Sequence, residues 1–232
     1  MKKDLIILHG ALGGSEQFLG WKNVLENDFN CYLLDFAGHG KRSNEDVVFS
    51  IREFSEELKQ FIKQNNLHQP CVLGYSMGGY VALYTAQYTE GLLGEIMTIA
   101  TKFDWNPESA KKEAGYLQPK LMQEKVPQLA EQLKQRHGED RWGKVLTKTA
   151  DLMLQLGIDP LVTELTVQNI KGKIRLCVGD RDKMVSIVET VSIYKNIPSA
   201  SFSVMPDTGH LPESMLPERI RFELLDLLKR TK

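Results

Sequence analysis

Disulfides have little to draw on in this chain, whose three cysteines, Cys31, Cys71 and Cys177, are odd in number and each stand inside a strand-like apolar run. That pattern excludes a disulfide framework and offers no metal-ligand spacing, so buried thiols in a reducing cytoplasm are expected, with no metal and no organic cofactor. Long hydrophobic runs are missing too. The apolar stretch near the N-terminus, Leu5-Ile6-Ile7-Leu8, stops after four residues at His9-Gly10. It is too short for the apolar region of a signal peptide or for a bilayer span. Neither sign of charge dominates, since 29 Lys and Arg face 30 Asp and Glu with no block of like charge. No nucleic-acid or membrane partner is therefore expected. Internal repeats and low-complexity tracts are absent as well.

What the chain does have is 232 residues, 42% of them hydrophobic, enough for one domain with a sizeable core. Strand-like runs at Leu5 to Leu8, Cys31 to Asp35, Cys71 to Tyr75, Glu95 to Ala100, Ile174 to Val178 and Ser201 to Met205 alternate with helical patterns. This alternation predicts an α/β fold, a mostly parallel sheet of about six strands with helices on both faces. Ser50 stands where it could cap a helix whose apolar face is Ile51, Phe54, Leu58, Phe61 and Ile62, ending at Asn65-Asn66. A last helix is predicted over Pro217 to Lys229 with Ile220, Leu224, Leu225 and Leu228 inward.

The rhythm breaks between residues 103 and 169, where helical pieces such as Val126 to Gln135 and Arg141 to Gln155 appear without a strand. A core of residues 1–102 and 170–232 carrying a helical lid of residues 103–169 is the expected organisation. An insertion at the carboxyl end of a parallel sheet would cover the place where such sheets bind ligands. The competing reading is an elaborated crossover with no role in substrate choice.

The chemistry gathers at strand ends. In Gly74-Tyr75-Ser76-Met77-Gly78-Gly79 a serine lies between glycines where an apolar strand gives way to helical spacing at Tyr80, Val81, Leu83 and Tyr84. A side chain at such a corner is pushed out of the backbone path, and the next amide and the helix dipole can stabilise an oxyanion. Further along, Gly179-Asp180-Arg181-Asp182 and then Pro206-Asp207-Thr208-Gly209-His210 follow two later strands, so acid and base come after the serine. Asp180 competes with Asp182 for the acid, and Asp104 lies in another loop that could supply one. After the first strand, His9-Gly10-Ala11-Leu12-Gly13-Gly14 makes a glycine-rich turn, in which the Ala11 amide is a natural second oxyanion donor. Of the other histidines, His9 and His39 are expected to hold their loops, and His68 and His137 to be solvated.

With these motifs and Asp35-Phe36-Ala37-Gly38-His39-Gly40-Lys41-Arg42-Ser43 after the second strand, the chain resembles the α/β-hydrolase family of the small-molecule esterase type. The resemblance implies Ser76 as nucleophile, Asp182 as orienting acid and His210 as general base, with the Ala11 and Met77 amides as the oxyanion hole. Members of that family usually begin with an antiparallel hairpin before the oxyanion-loop strand. Here that strand starts at residue 4 or 5, so a shortened, all-parallel sheet is expected, with the Cys31 strand at one edge.

A serine hydrolase acting on a small ester or thioester, as a monomer or homodimer, is the function the resemblance implies. Leu12, Phe36, Met77, Phe103, Trp105 and, from the lid, Trp142, Leu146, Met153 and Leu154 are the candidate substrate contacts. The elbow is also similar to that of the menaquinone-pathway synthases that eliminate pyruvate from a polyanionic substrate. In those an arginine follows the elbow glycines; here that position is Tyr80, with Lys102 or Arg141 as possible substitutes. A non-catalytic ligand receptor on the same fold is the reading of another class.

Overall fold

In the computed structural model, which describes residues 2–229, the apolar runs form six strands of a single sheet. They are β1 (Lys3–Leu8), β2 (Phe29–Leu34), β3 (Cys71–Tyr75), β4 (Ile96–Ile99), β5 (Ile174–Gly179) and β6 (Ala200–Met205). Their spatial order is β2-β1-β3-β4-β5-β6, every neighbouring pair is parallel, and β2, which contains Cys31, lies at an edge as expected. After β2 the chain returns to the far side of β1 to lay down β3, with Leu8 opposite Gly74. The carboxyl ends of β1 and β3 thus meet at the point where the strand order reverses, the usual ligand crevice of such sheets.

Side chains alternate across the pleat and build two cores. Ile6, Leu8, Val72, Ile96 and Ile174 face one layer, formed by α2 (Ile51–Gln64), α3 (Met77–Tyr88) and α8 (Ile187–Asn196). Leu5, Ile7, Cys71, Leu73, Met97 and Cys177 face the other, formed by α1 (Leu19–Leu25) and α9 (Pro217–Lys229). The α2 helix starts as its sequence predicts, with the Ser50 hydroxyl accepting from the Glu53 amide at 3.1 Å. One charged group is built into the second layer. The Arg175 guanidinium on β5, 2% exposed, donates to Glu223 Oε2 at 2.7 Å and to Asp226 Oδ2 at 2.6 Å, both on α9.

Between β4 and β5 run α4 (Pro107–Gly115), α5 (Pro119–Lys125), α6 (Pro127–His137) and α7 (Trp142–Ile158). Met122, Ala130, Leu133, Trp142 and Leu146 form a small core of this insertion's own. Tyr80, in the position after the elbow glycines, anchors the insertion's far end, because its hydroxyl accepts from the amides of Leu161 at 3.0 Å and Val162 at 2.9 Å. Among the described residues no helix is long and apolar enough to cross a membrane.

Candidate active site

Ser76 sits between the end of β3 and the first turn of α3 with φ +50° and ψ −116°, a conformation that side chains seldom adopt. Its neighbours enforce it. The Ser76 amide donates to the Ile99 carbonyl at 2.9 Å, and its carbonyl accepts from the Gly79 amide at 3.0 Å and from the Thr101 hydroxyl at 3.1 Å. A Cβ on Gly74 would lie 2.4 Å from the Gly79 Cα, so strand and helix approach this closely only because both residues are glycine. Met77 opens α3, and its amide is one of the first-turn donors that a helix leaves without an internal acceptor.

His210 arrives on the turn after β6. Its Nδ1 lies 2.9 Å from Asp182 Oδ2, and its Nε2 lies 3.5 Å from Ser76 Oγ. The Asp182 side chain is fully buried, and its other oxygen accepts from the amides of Met184 and Val185, both at 2.8 Å. With a buried carboxylate facing Nδ1, the proton belongs on that nitrogen and Nε2 is left as an acceptor toward Ser76. The competing acids do other work. Asp180 Oδ1 accepts from the Thr208 amide at 3.2 Å and so braces the turn that carries His210. Asp104 Oδ1 accepts from the Asn106 side chain at 3.0 Å. Tyr75 donates its hydroxyl to the His210 carbonyl at 3.1 Å, and burial pushes that phenol well above its ordinary pKa.

Three buried imidazoles pack between the turn after β1 and the loop after β2. His9 Nε2 accepts from the Phe36 amide at 3.0 Å, while His9 Nδ1 faces the Gly10 carbonyl at 2.8 Å. His39 Nδ1 faces the Ala37 carbonyl at 3.2 Å, and its ring stacks on Phe49 with centroids 4.4 Å apart. His137, expected in solvent, is 1% exposed; it accepts from the Gly40 amide at 3.1 Å and its Nε2 lies 3.0 Å from the Leu12 carbonyl oxygen. Its place was legible in the spacing, because Ala130, Leu133 and His137 fall on one helical face and all three are buried. Burial lowers the pKa of all three histidines, that of His137 to about 4.

Two cavities meet at Ser76. The narrower, about 430 Å³, is walled by Ile51, Met77, Trp105, Leu152, Met153, Leu156 and Met184, with Lys102 and Thr149. The wider, about 820 Å³, opens past Leu12, Tyr116, Leu117, Arg136, His210 and Leu211. Ala11 and Ser76 border both. Leu12, Met77, Trp105 and Met153 therefore reach a cavity. Phe36 does not, being wholly buried with its ring edge-on to His9 and against Phe54. Phe103 stacks on Tyr80, 6.3 Å between centroids, and Trp142 and Leu146 are taken up by the insertion's own core. Leu154 is 41% exposed. Arg141 donates to the Ser43 hydroxyl and the His137 carbonyl and lines neither cavity. Thr149, Arg136 and Met184 are among the lining residues that sequence patterns left unmarked as substrate contacts, while Lys102, named only as a possible stand-in for arginine, lines the narrower cavity. Among the described residues, no cluster of three or more His, Cys, Asp or Glu side chains is placed to hold a metal ion.

Residues 4–155 match the family model described as alpha/beta hydrolase fold. In sequence the chain is similar to a Haemophilus influenzae protein provisionally named 2-succinyl-6-hydroxy-2,4-cyclohexadiene-1-carboxylate synthase, 40% identical over 86 residues, or 36% of this chain and 33% of that protein. The synthase of that name from Yersinia pestis is 31% identical over 96 residues, 39% of this chain and 35% of that protein. The match thus spans about a third of these curated relatives. Among solved structures, a thermophilic esterase from Thermogutta terrifontis superposes with a TM-score of 0.78 at 19% identity, covering 99% of this chain and 90% of that one. MenH from S. aureus superposes with a TM-score of 0.78 at 19% identity, covering 98% of this chain and 93% of that one. At these identities the likeness is one of fold.

Proposed function

Because the chain belongs to the alpha/beta hydrolase fold family, we propose that it is a serine hydrolase that cleaves a small carboxylic ester or thioester through an acyl-enzyme intermediate. The observation that carries this reading is the continuous contact from Asp182 through His210 to Ser76, ending where the two cavities join. Ser76 Oγ attacks the substrate carbonyl carbon as its proton passes to His210 Nε2, and the Ala11 and Met77 amides hold the oxyanion. The C–O or C–S bond then breaks, and His210 delivers its proton to the departing alcohol or thiol. Water, deprotonated by the same nitrogen, attacks the acyl-enzyme, and the Ser76 Oγ leaves with that proton. The narrow cavity suits the acyl group and the wide one the leaving group. Residues 103–169 act as the lid that closes over both.

A second reading, pyruvate elimination as in the synthases, has the curated relatives in its favour. Tyr80 speaks against it, since the position where those synthases carry arginine is occupied here by a hydroxyl spent on two backbone amides. A panel of p-nitrophenyl esters from acetate to octanoate tests the proposal. Hydrolysis by the wild-type protein and its loss in Ser76→Ala are expected. No turnover of any ester, with pyruvate released from the synthases' precursor, would move the assignment to the second reading.

A further inference from the structure

The narrow cavity beside Ser76 is largely apolar, but its lining carries two donors to which the fold gives no hydrogen-bond acceptor. Lys102, its side chain 10% exposed, places Nζ 4.0 Å from Glu189 Oε1, beyond hydrogen-bond reach. Glu189 is already occupied: Oε1 accepts from the amides of Phe103 and Asp104, and Oε2 from the amide and hydroxyl of Ser186. The ammonium otherwise lies 5.6 Å above the Trp105 ring. Glu189 thus balances its charge from 4.0 Å, but the ammonium has no hydrogen-bond acceptor among the described residues, and a nearly buried cation is costly unless it is hydrogen-bonded as well as paired.

The second donor is Thr149. A helical threonine commonly returns its hydroxyl to the carbonyl four residues back, as Thr147 does with Gly143 at 3.0 Å and Thr85 with Val81 at 2.8 Å. Thr149, on α7 and 1% exposed, does not; its Oγ1 is buried with no partner among the described residues. Buried polar atoms left unpaired in a folded protein are few; Thr149 Oγ1 is one, and with the Lys102 ammonium lining the same cavity it calls for a shared acceptor.

Resting on the acyl-transfer reading above, we propose that Lys102 and Thr149 form a carboxylate-binding subsite, so that the preferred acyl group is a short aliphatic chain ending in a carboxylate. The reacting carbonyl sits at Ser76, the methylene chain runs along Leu152, Met153 and Leu156, and the distal carboxylate meets the ammonium and the hydroxyl. A carboxylate fits better than a neutral acceptor because a hydrogen bond between an ammonium and a carboxylate is stronger than one to a neutral oxygen.

The test compares p-nitrophenyl hemiglutarate with p-nitrophenyl pentanoate and the amide-ended p-nitrophenyl glutaramate, all of similar length. The expected kcat/KM for the hemiglutarate exceeds that for the pentanoate by about tenfold or more, the scale of a hydrogen bond to a charged group. Lys102→Met should bring that ratio to about one, and Thr149→Val should lower it part of the way. Calorimetric titration of glutarate into Ser76→Ala reads the same subsite without turnover. Binding tighter than that of pentanoate, lost when Lys102→Met is added, is the expected result. Equal affinity for the two acids, glutarate binding that survives Lys102→Met, or glutaramate ester turned over as well as hemiglutarate would overturn the subsite. If instead no ester is hydrolysed while glutarate binding still depends on Lys102, the acyl-transfer reading fails and the subsite stands.

Discussion

His137 Nε2, carried by the helical insertion, lies 3.0 Å from the main-chain oxygen of Leu12, the residue after the proposed oxyanion donor Ala11. The adjacent Arg136 Nη1 donates to the same oxygen at 3.1 Å, and Leu12 itself is held at φ +59°. The helical insertion therefore grips the turn after β1 directly. Replacing His137 with alanine leaves the Gly40 amide without its acceptor. A stability loss of about 1–3 kcal/mol is expected, read from the urea midpoint. The variant's kcat should fall by more than its KM changes if this turn positions the proposed oxyanion donor Ala11.

Acid should destabilise the fold through its buried imidazoles. His9, His39 and His137 all have folded pKa values below the ordinary 6.5, His137 at about 4, with burial the largest cause in each. In the window between the folded values and 6.5 the unfolded chain binds more protons than the folded one. Stability is thus fully present above about pH 6.5 and is lost as pH falls, at up to about 1.4 kcal/mol per pH unit for each histidine. For His137 the loss ends near pH 4. Urea midpoints at pH 7 and pH 5 measure this, and His137→Ala should reduce the difference by roughly one histidine's share.

Arg175→Met should destabilise by about 3 kcal/mol, because it strands the buried Glu223 carboxylate beneath α9. Adding Glu223→Leu should recover much of that loss, since removing both charges is far less costly than removing one. Thermal melts of the two variants beside wild type decide it.

Asp182→Asn would keep the shape of the acid turn but remove the charge facing His210 Nδ1. A fall in kcat of about 10³ to 10⁴ with the fold intact is expected if Asp182 fixes the histidine's tautomer. Steady-state kinetics with circular dichroism as the folding control measure it.

Much of the fold could be read in advance because strand runs, caps and punctuation agree locally. Ser50 caps α2 and α9 spans Pro217–Lys229 as the pattern predicts. The strand read as Glu95 to Ala100 is shorter, Ile96–Ile99, because Ala100 turns out of the sheet at φ +55°. Ser76, Asp182 and His210 were visible since each follows a strand in a required order, and the structure brings their side chains together. The cavity walls were visible only in part, through Leu12, Met77, Trp105 and Met153. Which apolar side of Phe36, Phe103 or Trp142 faces a ligand depends on packing between distant segments, and each of these rings is claimed by a neighbouring core. Lys102 was visible only as a possible stand-in for the synthases' arginine, and Thr149 carried no signal in sequence, because what marks it is a buried hydroxyl without a partner among the described residues.

Treatment with a fluorophosphonate probe, followed by peptide mapping with mass spectrometry, tests most directly whether Ser76 is an activated nucleophile. The account predicts a single phosphonylated residue, Ser76, with labelling abolished in Ser76→Ala and slowed sharply in Asp182→Asn. An unlabelled Ser76 under conditions that label a control esterase, or ester hydrolysis that persists in Ser76→Ala, would contradict it.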